Sequence, residues 1–515
     1  MSSRVGDSQS GMTICETPSK DVTRTGPAPS AATSVGVGRV PAKTPAVIGL
    51  LVLATFIVIL NETIMINAIP RLMADFQVSE STAQWLSTAF MLTMAAVIPI
   101  TGWFLQRVTT RSAYATAMAV FCTGTALAAV APVFEVLLVA RIIQATGTAV
   151  MMPLLMTTLM TVVPAHDRGR VMGNVTLAMS VAPALGPAIS GVVLSLGSWR
   201  LMFLLVLPIA LVITWSGLQR LENVGEPQPG TVDWFSIGAA AFGFGGLVYG
   251  LSGFGHGDVL QPVAIIVAGV VAIATFVGRQ LWLQRGGVPL MDLRVLKHRT
   301  FTLSLALMSM AFMAMLGSMI LLPLYLQNIR DLSPLQTGLL VMPGGLAMGL
   351  LGPSVGKIFD RFGGRRLVIP GSLGIVVALT VLTQVSLTMP FWQLLAAHVL
   401  LMISLAAVFT PVFTLGLGAL PMRLYSHGSS MLGTLQQVAA AFGTALVVTM
   451  MTVRTNSLLD GGEGQIDATL GGLRTAFLVG AALSVVVAVL AFMLPGRLPE
   501  PQTSDDVENA GAPAH

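Results

Sequence analysis

Fourteen apolar stretches, each of about 20 residues or more, constrain this chain more than any other feature. A bilayer core is about 30 Å thick, and a helix needs about 20 apolar residues to cross it. Only 10% of the residues are charged, against about 25% in soluble domains. We therefore predict an all-α polytopic membrane protein. The stretches lie near residues 46–69, 82–104, 112–132, 135–163, 171–196, 200–219, 235–254, 261–283, 301–325, 336–356, 366–387, 391–416, 428–453 and 473–494.

The positions of the basic residues predict how the chain is oriented. Lys and Arg accumulate in cytoplasmic loops, and here they do so along the whole chain if both termini are cytoplasmic. Of 27 Lys and Arg, those that fall in predicted outer loops are Arg71, Arg200, Arg330, Arg454 and Arg474. We also predict disordered cytoplasmic tails at 1–42 and 497–515, because these segments are polar or rich in Pro, Gly, Ser and Thr.

An internal repeat predicts how the spans are grouped. The segment GWFLQRVTTR begins at Gly102, and GKIFDRFGGR begins at Gly356. Both follow a span, and both carry Arg five and nine residues after the Gly. Duplicated halves are typical of transporters in which two bundles rock around a central site. We predict a six-helix bundle over 43–220, two inserted transmembrane helices over 221–285 and a second six-helix bundle over 286–496.

These repeated loops resemble the Gly-x-x-x-Asp-Arg-x-Gly-Arg-Arg motif of the major facilitator superfamily. The chain is similar to its fourteen-span drug:proton antiporters, and most of all to the lincomycin-resistance branch. In the first loop Gln106 replaces the motif's Asp, whereas the second loop keeps Asp360. The resemblance implies gating loops, although a plain topological anchor stays open as an alternative. The gating residues would be Gly102, Arg107, Arg111, Gly356, Asp360, Arg361, Gly363 and Arg365.

Two further motifs carry the resemblance. LLVARIIQATGTA places Arg141 inside an apolar span with Gln144 about one turn away, and a buried cation in lipid must face the protein interior and find a partner. APALGPAISG resembles the antiporter motif Gly-Pro-x-x-Gly-Gly. Its prolines remove backbone donors and would kink the helix, and its glycines would let another helix approach closely. Such a segment suits a helix that bends at a bundle interface, and ordinary tight packing stays open as the alternative. The motif residues are Pro183, Gly186, Pro187 and Gly191.

Glu62, within IVILNETIMINAIP, is the one acidic residue predicted deep inside a span. A carboxyl there is costly to ionise, and a nearby cation lowers that cost. A group under both influences can exchange a proton near neutral pH, as a coupling site requires. The family usually has an Asp at the position of Asn61, one residue earlier, which is about 100° around a helix. A permanent pair with Arg141, or the capping of a broken helix, stays open as the alternative role of Glu62.

Other polar residues are candidates for the same site. Asn61, Thr63 and Asn67 would orient Glu62 or line a wet cavity, together with Gln144. His398, in the predicted twelfth span, is a second group that could take up a proton, although a hydrogen-bonded neutral histidine is the commoner case. We therefore assign proton coupling to Glu62, Arg141 and His398. We predict no catalytic residue and no metal ligand.

The predicted function is proton-driven export of amphiphilic drugs or toxicants by alternating access in the bacterial inner membrane. The expected partners are small amphiphilic substrates, protons and the lipid bilayer, without nucleic acid, and the protein would act as a monomer. It would need no cofactor beyond the proton gradient. One alternative is transport of one specific metabolite, lipid or siderophore on the same fold. A non-transporting sensor or membrane enzyme is the third class.

Overall fold

The structure is a computed structural model that describes residues 44–65, 68–223, 233–252, 260–286 and 289–495. These ranges form fourteen long helices and one short helix, α2, joined by brief loops and 3₁₀ turns. In chain order the helices are α1 Thr44–Ile64, α2 Ile69–Phe76, α3 Glu80–Arg107, α4 Thr110–Ala129, α5 Phe134–Val162, α6 Arg168–Ser195, α7 Arg200–Arg220, α8 Trp234–Ser252, α9 Leu260–Gly286, α10 Arg299–Asn328, α11 Pro334–Phe362, α12 Arg365–Leu382, α13 Phe391–Gly418, α14 Tyr425–Asp460 and α15 Gln465–Met493.

Each of the fourteen predicted spans coincides with one long helix, so the all-α prediction is confirmed. By length and hydropathy, thirteen helices in the described part of the chain could cross a membrane. The long helix that falls outside this set is α6, whose segment mixes Gly, Pro, Ser and two Arg with apolar residues. It nevertheless packs against α1, α11 and α13 inside the bundle.

The first span was predicted wrongly at its outer end. The sequence suggested one helix over 46–69, but α1 ends at Ile64 and the short helix α2 begins at Ile69. Pro70 lies in the first turn of α2, where its missing N–H costs nothing, whereas inside a continuous helix it would remove a hydrogen bond. The apolar composition continues through this point, so hydropathy alone does not detect the break.

Short polar residues set several helix starts. The Ser79 and Thr109 hydroxyls accept hydrogen bonds from the Thr82 and Ser112 amides at 3.2 Å, which caps α3 and α4. Such caps satisfy amides that the first helical turn leaves free. Helix α11 ends at Gly363, whose φ of 83° suits glycine. Thr109 and Gly363 lie in the two predicted gating loops, so they help to fix where those loops begin or end.

The long helices pack as two groups with a hairpin beside them. In the first group α5 contacts α1, α3 and α4, while α7 contacts α1 and α4. In the second group α13 contacts α10, α11 and α12, and α15 contacts α10, α12 and α14. Helices α8 and α9 pack on each other, and α8 also contacts α3 and α14, one helix of each group. This grouping agrees with six plus two plus six helices, while the residue boundaries of the domains stay a prediction.

The two groups meet along α6–α11 and α3–α14, with further contacts of α14 with α5 and of α13 with α6. Side-chain hydrogen bonds cross between the groups near the end that carries the repeated loops, which we call the inner end. Thr157 and Ser429 hydroxyls lie 3.0 Å apart, and those of Thr176 and Thr410 lie 2.8 Å apart. Side-chain hydrogen bonds therefore hold the two groups together at the inner end.

Candidate functional site

The antiporter-motif helix α6 packs directly against α1 next to Glu62. A Cβ atom added to Gly186 would overlap the Oγ1 and Cβ atoms of Thr63. The Thr63 hydroxyl donates to the Leu60 carbonyl at 3.0 Å within α1 and approaches the Ala182 carbonyl at 3.5 Å across the interface. Glycine at 186 is thus required for the close approach of the two helices. The structure brings Thr63 and the antiporter motif together, a contact that the sequence did not indicate.

The rest of the antiporter motif fits the prediction less closely. α6 continues as helix through residues 183–187, and the Pro187 side chain lies outside the described part of the structure. Gly191 was expected to admit a neighbouring helix, and this prediction is wrong. Gly191 is exposed, and a Cβ added there would meet nothing within 4 Å. Position 191 is in the last turns of α6, on a face where no helix packs.

Arg141 is the buried cation of this region and has a fixed environment. Its side chain is 1% exposed. Nη1 donates to Gln144 Oε1 at 3.0 Å, Nε donates to the Leu86 carbonyl at 3.4 Å, and the guanidinium lies 4.2 Å from the Phe90 ring centroid. None of these partners is a carboxylate. The guanidinium is therefore oriented by neutral groups and keeps its positive charge uncompensated at contact distance.

Glu62 is the acid that interacts electrostatically with Arg141. The Glu62 side chain is half-buried on α1. Within the described ranges the Glu62 carboxylate has no hydrogen bond and no ion pair shorter than 4.0 Å. Its role, as a coupling group or as a permanent partner of Arg141, stays a prediction. The two charges therefore interact through space without a direct contact that would fix the carboxylate as ionised.

Asn61 is the least satisfied polar side chain on α1. It is fully buried, at 0% exposure, and neither Nδ2 nor Oδ1 has a hydrogen-bond partner in the described structure. Buried amides without partners are uncommon because each unpaired group costs free energy. Asn61 therefore offers a free donor and a free acceptor beside Glu62. Asn67, the other predicted amide, lies outside the described residues.

His398 lies in the other helix group, between α13 and α11. It is 3% exposed, it interacts with the Val341 backbone, and its Nε2 atom has no partner in the described structure. A Cβ added to Gly344 of α11 would overlap the imidazole. The described contacts of His398 are with α11 and α13, whereas those of Glu62 belong to the α1–α5–α6 side. The structure therefore does not bring these two predicted coupling residues into contact.

The second gating loop closes on α6 through Asp360. Its carboxylate accepts the Gly169 amide at 2.8 Å and the Arg170 amide at 2.7 Å, at the start of α6. Carboxylates at a helix N-terminus are favoured by the unpaired amides and by the helix dipole. Gly356 allows this approach, since a Cβ there would overlap the Gly169 carbonyl. Arg361 and Arg365 are exposed on the same loop.

The first gating loop closes on α14 in a different way. Gly102 lies against His427 and Ser430, which would be 3.1–3.2 Å from an added Cβ. Gln106, which replaces the motif's Asp, donates to the Arg423 carbonyl at 3.0 Å. Arg111 is exposed. One loop thus uses a carboxylate on helix amides and the other uses a neutral amide on a carbonyl.

Several important residues were missed from the sequence. Thr125 of α4 accepts Gln144 Nε2 at 3.0 Å and so completes the Arg141 network. Gly169 and Gly173 of α6 face Gly356 and Gly352 of α11 with their backbones in contact. The paired four-residue glycine spacing, Gly-x-x-x-Gly in both helices, is a known signal of close packing and could have revealed this interface. His427 had no such signal.

Known proteins similar to this chain point to one family. The model of the Major Facilitator Superfamily matches residues 51–444. The uncharacterized MFS-type transporter YcnB of Bacillus subtilis is 38% identical, with 90% of this chain and 96% of that protein aligned. Lincomycin resistance protein LmrB of Listeria monocytogenes is 39% identical over 85% of this chain and 94% of its own length. A multidrug resistance protein B homolog of Mycobacterium tuberculosis is 28% identical over 79% and 76%.

Solved structures of the same architecture support the fold. The human organic anion transporter MFSD10 aligns with a TM-score of 0.65 and 15% identity, over 87% of this chain and 99% of that one. The proton:xylose symporter XylE aligns with a TM-score of 0.62 and 16% identity, over 88% and 96%. At such identities the likeness concerns the fold, and it confirms the predicted helical architecture.

Proposed function

Because this chain belongs to the Major Facilitator Superfamily, we propose that it exports amphiphilic drugs or toxicants in exchange for protons. It is a multi-pass transporter of the bacterial inner membrane and not an enzyme. The predicted family and its lincomycin-resistance branch are confirmed by the relatives. The export direction, the cargo and the use of protons are our proposal, supported by the names of those relatives and by the site.

The observation that carries the proposal is the geometry around Glu62. This carboxyl sits on a membrane helix, feels the charge of Arg141 and is held by no direct partner in the described structure. Arg141 is meanwhile fixed by Gln144 and the Leu86 carbonyl. A fixed cation and an unheld acid form an arrangement in which the acid can gain and lose a proton without the site collapsing.

In the proposed cycle Glu62 takes a proton when the site faces outside and cargo leaves. It releases the proton when the site faces inside, and the carboxylate then attracts cationic cargo. Asn61, with its free donor and acceptor, provides the polar contact for neutral or zwitterionic parts of the cargo. One proton moving inward through about 150 mV provides about 3.5 kcal/mol, enough for a concentration gradient of a few hundredfold of cargo without net charge. No cofactor is required in this scheme, and one chain suffices.

The test is uptake of a cationic dye into inverted vesicles, in which the cytoplasmic face points outward, with wild type or Glu62→Gln at matched expression. We expect wild-type transport to collapse when a protonophore is added. Glu62→Gln should bind the dye but fail to move it uphill, because the amide cannot exchange a proton. Glu135→Gln is the matched control, since Glu135 is exposed at the start of α5, and it should transport normally. Normal pumping by Glu62→Gln would contradict the coupling role.

Breadth of protection separates drug export from transport of one specific metabolite. Cells that express the wild type should survive lincomycin and chemically unrelated cationic dyes better than cells that express Glu62→Gln. Protection against a single compound class would favour the specific transporter. Protection that is identical in the two strains would show that export does not depend on this carboxylate.

A further inference from the structure

Arg107, in the last turn of α3 at the inner end, has hydrogen-bond donors that nothing in the described structure accepts. Its Nε, Nη1 and Nη2 atoms are all buried and without partners, and so is Nε1 of Trp103. The two side chains are one helical turn apart, and the guanidinium lies 5.4 Å from the Trp103 ring centroid. They therefore present one patch of N–H donors on a single face of α3.

No acid of the described structure forms an ion pair with Arg107. Gln106 uses its amide on the Arg423 carbonyl. His427 of α14 lies against Gly102, and its Nδ1 has no partner in the described structure. Asp292 pairs instead with Arg294, whose backbone amide it accepts at 2.9 Å and whose Nε lies 3.9 Å from its carboxylate. The positive charge of Arg107 is therefore left uncompensated in the described structure.

The repeated loop shows the contrast. In the second copy Asp360 binds the start of α6, and the following Arg361 is exposed and lies over the Phe362 ring. In the first copy the acid is replaced by Gln106, while the following Arg107 has buried nitrogens. The first loop therefore combines a neutral amide with an arginine whose nitrogens are buried and without partners in the described structure. In the second loop the acid binds helix amides and the arginine that follows it is exposed.

Buried guanidinium groups without an anion are costly, and their planar N–H donors match the oxygens of carboxylate or phosphate. The end of a membrane-spanning helix is also the level at which phosphate groups of lipids lie, and basic pockets between helices there bind lipid headgroups. We propose that Arg107 and Trp103 form a binding site for a phosphate oxyanion at the inner end of α3. The site is separate from Glu62, so it does not depend on the proposed export cycle.

The phosphate can come from an anionic lipid or from solution, and binding assays on the delipidated full-length protein distinguish the two sources. The probes are dioctanoyl phosphatidylglycerol, inorganic phosphate and dioctanoylglycerol, which has the same chains without phosphate. Calorimetry would measure the affinity of each. Binding of the phospholipid alone identifies a headgroup site, and binding of both phosphate probes identifies a site for the free anion as well. Dioctanoylglycerol should bind no more tightly to wild type than to the variants.

The expected result is a loss of affinity of about tenfold or more in Arg107→Gln, because charge-assisted hydrogen bonds to the oxyanion disappear. Arg220→Gln is the matched control. Arg220 is likewise in the last turn of a helix, but it is exposed, so its affinity should equal that of wild type. Equal affinity of Arg107→Gln and wild type would overturn the proposal, and so would failure of wild type to bind either phosphate probe.

A second variant, Trp103→Phe, tests the site even if Arg107→Gln does not fold. Trp103→Phe keeps an aromatic ring under the guanidinium and removes the indole N–H, so we expect a several-fold weaker affinity with an unchanged melting temperature in the absence of probe. Unchanged affinity in Trp103→Phe would exclude the indole from the site and contradict the proposal as stated.

Discussion

At the scale of single residues, Gln144 decides how the buried charge of Arg141 is tolerated. Its Oε1 accepts from Arg141 and its Nε2 donates to Thr125, so both ends of one amide are used. Asn61 lies on another helix, α1, and neither end of its amide has a hydrogen-bond partner in the described structure. The same chemical group thus serves as a structural link in α5 and as an open contact in α1.

The Arg141 network makes a prediction about stability. Gln144→Leu would leave the buried Arg141 Nη1 without its acceptor, which should lower the free energy of unfolding by about 1–3 kcal/mol. The Thr125 hydroxyl would lose the bond from Gln144 but would still donate to the Phe121 carbonyl. Thr125→Val removes only the far end of the network and should cost less. Thermal unfolding in detergent measures both. If Gln144→Leu melted at the wild-type temperature, Arg141 would have to be held by something other than this amide.

At the scale of helices, the contact of α6 with α11 depends on glycine. Gly356→Ala places a Cβ against the Gly169 carbonyl, where backbone cannot move aside without separating the helices. We expect the inner end to open and transport to fall about tenfold or more, because the closed state loses more than about 1.4 kcal/mol. A spin-label distance between α6 and α11 would report the opening.

Gly338→Ala is the control for that experiment. Gly338 is also in α11, but a Cβ added there meets nothing within 4 Å. The variant should keep the wild-type distance and transport rate. If both alanine variants opened the inner end equally, helix propensity rather than contact with α6 would be the cause.

At the base of the α8–α9 hairpin, the pair of Asp233 with Arg279 predicts how the stability of the protein depends on pH. Burial acts to raise the pKa of Asp233, but hydrogen bonds from Arg279 and Ser236 and the Arg279 charge outweigh it, so the pKa is lowered from its ordinary value of 3.8. A lowered folded-state pKa means that the stabilisation is complete above pH 3.8 and is lost as pH falls through the folded-state pKa.

Asp233→Asn should therefore melt below wild type at pH 7, by an amount that corresponds to about 1 kcal/mol or less, because this pair is partly exposed. The difference between the two proteins should vanish at the acid end of a series of melting curves. A difference as large at the acid end of the series as at pH 7 would assign the effect to packing rather than to the charge of Asp233.

At the scale of the whole molecule, the two helix groups are closed together at the inner end by uncharged contacts as well as by Asp360. Thr157 of α5 and Ser429 of α14 touch through their hydroxyls at 3.0 Å. A transporter that works by alternating access must break this contact in each cycle. The inner seam is therefore the place where a covalent link would stop the cycle.

Thr157→Cys combined with Ser429→Cys tests this, in a protein whose two natural cysteines are replaced by Ser. Oxidation should form a disulfide and abolish transport, and a reductant should restore it. Each single-cysteine protein should transport equally with and without oxidant. Full activity of the cross-linked protein would mean that the inner end does not open during transport.

The sequence by itself determined the helices and the family. Hydropathy located fourteen helices because a membrane span must be long and apolar, and the motifs around Arg141, Gly186 and Asp360 revealed the family. These signals are local, so each can be seen in a short window of residues. The same windows could not show that α1 stops at Ile64 and that a second helix, α2, begins at Ile69 with Pro70 in its first turn. The composition stays largely apolar across this break.

Only the tertiary structure decided which residues meet. It paired Thr63 with Gly186 and His398 with Gly344, and it placed no described atom within 4 Å of a Cβ added to Gly191. It also showed that Asp360 binds helix amides while Arg107 has no anion. Such facts depend on how helices far apart in the chain approach and rotate against one another, and the periodicity of a single helix carries no record of its neighbours.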